Sequence, residues 1–266
     1  MGYGSGSDLA SGPGLLSYEP TTLDILQVRH YFSLIPVALP KELVDIILDY
    51  ASYWTHSSLT LVKTASIADG GYMYLRTLPL AFPNTEGNFI VSNQELHGSS
   101  ARSGKLVMRN GLSGTHPCRR IEFQLWSHDQ GWSSWPENQG TYRASWTWFD
   151  ACIESPSPPS EGMAADWPAH LCIGFPESAF LQVQKNVHAS ALTRHHIVTW
   201  HYLDSVEKNS QDAQNAENRG QDWKSLDGSF VQRMQRGDCI ALWMRARYPG
   251  WTCTIRKAKI TVHWAV

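Results

Sequence analysis

The densest run of side chains able to do chemistry is Ser127-His128-Asp129-Gln130-Gly131-Trp132. His128 beside Asp129 is a pairing from which a general acid or base is built. His, Asp and Gln next to Trp132 and Trp135 are equally a vocabulary for sugars, in which polar groups bond hydroxyls and indoles stack on apolar ring faces. A purely local reading stands beside these: Asp129 and Gly131 make a turn whose backbone the Asp side chain caps. A second run, Arg245-Ala246-Arg247-Tyr248-Pro249-Gly250-Trp251, adds two guanidinium groups suited to a carboxylate or an aromatic face, with a solvated hairpin as the plain alternative.

Other chemistry finds little support. Phosphate-cradling glycine loops, the His-Glu-x-x-His helix and the Gly-x-Ser-x-Gly elbow are missing, so the sequence calls for no cofactor. His195, His196 and His201 suggest no metal site. Adjacent residues on a strand point to opposite faces, and no carboxylate or Cys stands at a recognised ligand spacing.

The elements that position these runs are mainly strands. Beyond Thr55 the chain consists of short segments rich in β-branched and aromatic residues, cut by Gly, Pro, Asn and Ser. The predicted strands are Leu59–Lys63, Tyr72–Thr77, Lys105–Arg109, Arg120–Trp126, Ser145–Ile153, His196–Tyr202, Cys239–Ala246 and Ile255–Trp264. No helix alternates with them, which argues against parallel winding. Alternation places Ile121, Phe123 and Leu125 on a core face and Arg120, Glu122, Gln124 and Trp126 on the other. It likewise groups Ile240, Leu242 and Met244 inward, with Trp243 and Arg245 opposite, and turns Ala258, Ile260, Val262 and Trp264 inward in the last strand.

Twelve tryptophans are a large supply for 266 residues, and two strands put one on a face that also carries Arg, Glu and Gln. A sheltered, half-polar groove explains that use of a costly apolar side chain. Trp146 and Trp148, in phase with Asp150, either join that groove or fill the core. The expected ligand-binding set is Trp126, Gln130, Trp132, Trp135, Trp148, Trp243, Arg245, Arg247, Tyr248 and Trp251.

Ahead of the strands, Leu23–Leu34 is read as a first helical element. Pro40 opens a second, in which Leu43, Ile46, Ile47, Tyr50 and Trp54 form an apolar stripe expected to dock on the rest of the chain. Residues 1–20 read as a flexible Gly- and Ser-rich tail without a secretory signal, and 21–266 as one domain that includes the helical segment 21–55. Glu154–Pro168 and Asp204–Asp222 are expected to be surface loops, the second mobile for want of an anchor larger than Val206.

Twenty-two basic against twenty-four acidic residues give a formal charge of -2, leaving no global field for nucleic acid or anionic membranes. No apolar run approaches the length of a membrane span. The five cysteines Cys118, Cys152, Cys172, Cys239 and Cys253 form no Cys-x-x-Cys pair and their number is odd, so reduced thiols in the cytoplasm are expected.

Leu39-Pro40-Lys41-Glu42-Leu43-Val44-Asp45-Ile46-Ile47-Leu48 resembles the opening helix of an F-box, without the two helices that follow it there. Arg120 to Ile153, with its Ser-His-Asp-Gln-Gly-Trp and Ser-Trp-Thr-Trp-Phe runs, and Gly237 to Val266 resemble a widespread group of uncharacterised fungal proteins in which a similar truncated helix precedes an all-β domain. The organisation is also similar to the jelly-roll domains attached to F-boxes and to plant phloem lectins, over about half the chain. These resemblances imply a mainly β, two-sheet antiparallel jelly-roll sandwich with one or two N-terminal helices, and carry no residue roles.

Three functions stay open at this point. One is binding of a glycan or small amphipathic molecule in a Trp-lined groove rimmed by His128, Asp129, Gln130, Arg245 and Arg247. Another is a cofactor-independent cyclase or isomerase of fungal secondary metabolism, with His128 or Asp129 moving a proton. The last is an F-box-like adaptor that engages a protein partner through helix 40–54.

Overall fold

The structure is a computed structural model that describes residues 19–34, 39–80, 116–155 and 179–266. Among the described residues eight strands carry it: β1 (Thr55–Ile67), β2 (Gly70–Arg76), β3 (Cys118–His128), β4 (Thr147–Glu154), β5 (Leu181–Lys185), β6 (Arg194–His201), β7 (Cys239–Ala246) and β8 (Cys253–Trp264). Side-chain alternation sorts them into an inner and an outer face. Ile121, Phe123 and Leu125 of β3, Ile240, Leu242 and Met244 of β7, and Ala258 and Ile260 of β8 are fully buried, while Arg120, Glu122, Gln124 and Trp126 are not. The inward faces are those the alternation predicts.

The strands form two four-stranded sheets. Sheet A has the order β1-β8-β3-β6 and sheet B the order β2-β7-β4-β5, with every pairing antiparallel. This is the strand order of an eight-stranded jelly roll, two Greek keys closed over one core. Between the sheets Trp200 sits edge-on to both Phe123 and Phe230, with ring centroids 4.8 and 4.9 Å away. Topology has a direct consequence for function: the connections β1 to β2, β3 to β4, β5 to β6 and β7 to β8 all lie at one end of the sandwich.

β5 is the strand that sequence reading passes over. Leu181 and Val183 do alternate with Gln182 and Gln184, but the run is five residues long and sits at a sheet edge. The predicted strand Lys105–Arg109, Cys172 and residues 156–168 of the first long loop lie outside the described residues.

Two expectations need correction. The segment Asp204–Asp222 is not a loose loop. It holds helix α3 (Gln211–Asn218), whose Ser210 cap accepts from the Ala213 N–H at 3.1 Å and whose Ala213 and Ala216 are buried. The carbonyls of Arg219 and Gly220 accept from Gln184 Nε2 and the Lys185 N–H, so the segment is sewn onto the edge strand β5. Small alanines and backbone bonding provide the anchor that large side chains do not.

The second correction concerns the helices α1 (Thr22–Leu34) and α2 (Lys41–Tyr50). Val44 and Leu48 of α2 are the buried residues, whereas Leu43, Ile46, Ile47 and Tyr50 are exposed, Tyr50 to 95%. Charge sets the rotation of the helix. Asp45 pairs with Arg29 of α1, and Asp49 accepts from Arg119 Nε at 2.8 Å and from Trp54 Nε1 at 2.9 Å, so the aspartate side of α2 faces the fold. Only Trp54, from the predicted stripe, is buried. No helix among the described residues is long and apolar enough to cross a membrane.

Candidate functional site

The Ser127–Trp132 run leaves β3 at the end of the sandwich where four connections meet. Asp129 is completely buried there, and its carboxylate accepts three backbone N–H bonds: Gly131 at 2.8 Å, Ala189 at 2.7 Å and Ser190 at 2.7 Å. Burial pushes the Asp129 pKa up, while the three amide donors pull it down. His128 turns its Nδ1 to the Asp129 carbonyl at 2.7 Å rather than to a carboxylate. The two therefore form no acid/base pair. Asp129 is committed to tying the β3–β4 connection to the β5–β6 connection.

Gln130 performs a similar task. Its Nε2 donates to the Trp132 carbonyl at 2.8 Å and its Oε1 accepts from the Thr252 N–H at 3.0 Å, linking the connection to the β7–β8 turn. Gly131 has φ +91, and a Cβ there would stand 2.7 Å from that of Ala191, so the tight turn admits no side chain. Trp132 is 61% exposed and its ring lies over Gly250, whereas Trp251 is buried edge-on to His188, with centroids 5.1 Å apart. Trp135, at the entrance of a single 3-10 turn (Pro136–Asn138), is 47% exposed.

A different group of predicted residues comes together on the outer face of sheet B. Register places Trp148 of β4 opposite Arg245 of β7, and Asp150 opposite Trp243. One step further the Arg247 N–H donates to the Trp146 carbonyl at 3.1 Å, and the Arg247 guanidinium lies 5.6 Å from the Trp146 ring. Trp148 of β4 and Trp146 just before it thus face Arg245 of β7 and Arg247 just after it on a single surface, with Tyr248 edge-on to Trp146 at 5.0 Å.

Asp150 organises this platform. Its Oδ2 accepts from Arg245 Nε at 3.0 Å and its Oδ1 from Trp148 Nε1 at 2.8 Å. Burial pushes the Asp150 pKa up, and the Arg245 guanidinium opposes that shift. Arg245 is further held 4.5 Å from the Phe180 ring and 5.1 Å from the Trp243 ring. It crosses Gly71 of β2 so closely that a Cβ there would collide with the guanidinium. Arg247 and Tyr248 are exposed at the rim.

Trp126 does not belong to this surface. It projects from the outer face of sheet A, on the other side of the sandwich, stacked flat on His195 at 4.0 Å and covered by Lys257 Nζ at 4.2 Å. The single groove expected to hold both Trp126 and Trp243 is therefore divided, because outward faces of opposed sheets point away from each other. Trp148, Trp243, Arg245, Arg247 and Tyr248 are brought together; Gln130, Trp132 and Trp251 share the end loops. Phe180 and Trp146 complete the platform. Trp146 is legible from its phase with Trp148, whereas Phe180 immediately precedes the unread edge strand and gives no signal.

No family model, curated protein or solved structure matches this chain. Its own geometry therefore has to carry the functional reading. Among the described residues no three His, Cys, Asp or Glu side chains are gathered as a metal ion requires. A crevice between α1, α2 and the chain end, lined by Arg29, Asp45, Asp49 and Arg119 beside Ile25 and Leu48, has a volume of ≈ 10 Å³, room for about one water.

Proposed function

We propose that this chain is a binding protein whose outer sheet-B platform takes a glycan or a small amphipathic molecule. The observation that carries the reading is the paired ladder of Trp146 and Trp148 against Arg247 and Arg245, continued by Trp243 and edged by Tyr248. Indole faces stack on the apolar side of a sugar ring or a flat hydrocarbon, and guanidinium forks donate to its hydroxyl or carboxylate oxygens. Pre-organisation supports it as well, since Asp150 fixes both Trp148 and Arg245 before any ligand arrives. Arg247 and Tyr248 are exposed at its rim, so a ligand can reach the platform from solvent.

A glycan array beside native mass spectrometry of the protein from its own cells tests this. The expected result is a ligand whose affinity falls about ten-fold or more in Arg247→Ala/Tyr248→Ala, with unfolding unchanged because both side chains are exposed. Absence of any ligand in both assays, or undiminished binding by the double variant, sinks the reading.

A second reading, as a protein-binding adaptor, draws on the exposure of Leu43, Ile46, Ile47 and Tyr50 along one side of α2. A contiguous apolar stripe left in solvent is a common mark of a partner site, and it is the helix that resembles the start of an F-box. Mixing the chain with the adaptor protein that F-box helices bind is expected to give a co-eluting complex at about 10 µM, lost in Ile46→Glu/Tyr50→Glu. Separate elution at that concentration removes this reading and leaves the platform untouched.

A further inference from the structure

The outer face of sheet A carries a second cluster, independent of the platform on the other side. Register places His56 of β1 opposite His263 of β8, His263 opposite Arg120 of β3, and Arg120 opposite His201 of β6. One guanidinium and three imidazoles thus form a row across all four strands, each on a neighbouring strand. The groups touch. The His56 and His263 rings lie 5.4 Å apart, Arg120 Nη2 donates to His263 Nε2 at 3.1 Å, and Trp54 closes the row beside His201 at 5.6 Å. All four members of the row are half-buried, so they are both partly desolvated and reachable.

Charge around the row is not balanced. Its neighbour Arg119 has a carboxylate, Asp49, at 2.8 Å. Arg120 has none within ion-pair distance among the described residues, and its Nε is buried without a hydrogen-bond partner. Glu122, two residues along the same face, is engaged by Gln124 Nε2 at 2.7 Å, while β8 adds Lys259 and Lys257. A carboxylate already sits at the open edge: Glu19 Oε2 is 3.1 Å from His56 Nε2.

A backbone hydrogen bond fixes the tautomer of His201. The Leu203 N–H donates to His201 Nδ1 at 3.2 Å, so the neutral His201 ring bears its proton on Nε2. Arg120 Nη2 lies 3.1 Å from His263 Nε2 and 3.5 Å from its Nδ1. Burial first, then Arg120, His56 and Lys259, push the His263 pKa down to about 3, so its ring is a neutral donor at ordinary pH. Asp204 and Asp49 are the acidic groups near His201. A guanidinium in the middle of three imidazoles repels a metal cation and attracts an anion.

We propose that the row His56–His263–Arg120–His201 binds a phosphate monoester, with Arg120 supplying the charge and the imidazoles the surrounding N–H donors. A tetrahedral dianion accepts from several donors at once, whereas a single carboxylate such as that of Glu19 reaches only the edge of the row.

The test is an NMR titration of the full chain, reading the imidazole signals against glycerol phosphate, inorganic phosphate and chloride at constant ionic strength. Saturable shifts are expected at His56, His201 and His263 and not at His128 or His188. Arg120→Gln is expected to weaken binding about ten-fold or more, and His56→Gln, at the sheet edge where folding is least affected, about three-fold. Glycerol phosphate binding at least as well as inorganic phosphate supports the monoester, and binding of inorganic phosphate alone overturns it in favour of the free ion. Shifts that fail to saturate, that chloride reproduces, or that survive both substitutions overturn the site.

Discussion

Asp129→Ala is expected to destabilise the fold by about 3–5 kcal/mol, since it strands three backbone N–H donors at the crowded end of the sandwich. All three lie within 2.8 Å of the carboxylate, which is wholly shielded from water. Each orphaned buried donor costs about 1–3 kcal/mol, and the total falls short of three independent losses because the freed connections relax together toward water. Urea unfolding followed by tryptophan fluorescence measures it. Asp129→Asn is expected to fall between wild type and Ala, since the amide keeps one acceptor but turns an NH₂ toward one of the donors. A loss below about 1 kcal/mol for Ala would mean that the connections hold without the carboxylate, contrary to the role assigned to it.

Acid is expected to remove about 3–4 kcal/mol of stability between pH 6.5 and pH 5 in phosphate-free buffer, through His196 and His263. Burial, with His195 and Arg194 behind it, pushes the His196 pKa down to about 4, and burial, with Arg120, His56 and Lys259, pushes that of His263 down to about 3. The sign follows from proton counting. Below the ordinary value of 6.5 the unfolded chain takes up a proton on each ring and the folded chain does not, so stability is complete above that pH and drains away as pH falls. Each ring's contribution rises from about half of 1.4 kcal/mol per pH unit at pH 6.5 toward that full value at pH 5.

His201, also pushed down by burial, acts in the same direction. Asp129, Asp150 and Asp204, which burial pushes up, act in the opposite one, but only as the pH approaches the carboxylate range. His196→Gln keeps a partner for the Tyr142 hydroxyl, which lies 3.1 Å from His196 Nε2, while removing the titration. Unfolding midpoints at a series of pH values are expected to show about half the acid slope in that variant. A wild-type profile that is flat from pH 7 to pH 5, or an unchanged slope in His196→Gln, contradicts the assignment.

These two results bear on function because the end loops and the sheet-A face are built by groups that sequence reading takes for catalytic or inert. His128 and Asp129 read as an acid/base unit by adjacency alone, yet neighbouring residues at a strand's end point apart, and the nearest amides belong to a connection 60 residues away. The local alternative, a turn with an Asp cap, is what the Gly131 N–H to Asp129 contact realises, extended by two long-range bonds. His263, by contrast, reads as an ordinary outward residue on the last strand. Only its cross-strand neighbours His56 and Arg120 make it part of a cluster.

Periodicity along the chain determines a good deal of this protein. The two-residue alternation of β3, β7 and β8 fixes which side chains turn inward, because it is a property of each strand's own pleat, and the Gly and Asp residues of the β3–β4 turn fix its local shape. Tertiary structure alone decides which outward faces are shared. Trp126 and Trp243 look alike in sequence, each alternating with charged neighbours, but one strand joins sheet A and the other sheet B, so their indoles project to opposite sides of the sandwich. The rotation of α2 is decided in the same way: its apolar stripe and its aspartates compete for the fold, and Arg29 and Arg119, distant in sequence, settle the outcome for the aspartates. Strand neighbours and ion-pair partners come from contacts between remote segments, and no single stretch of sequence encodes them.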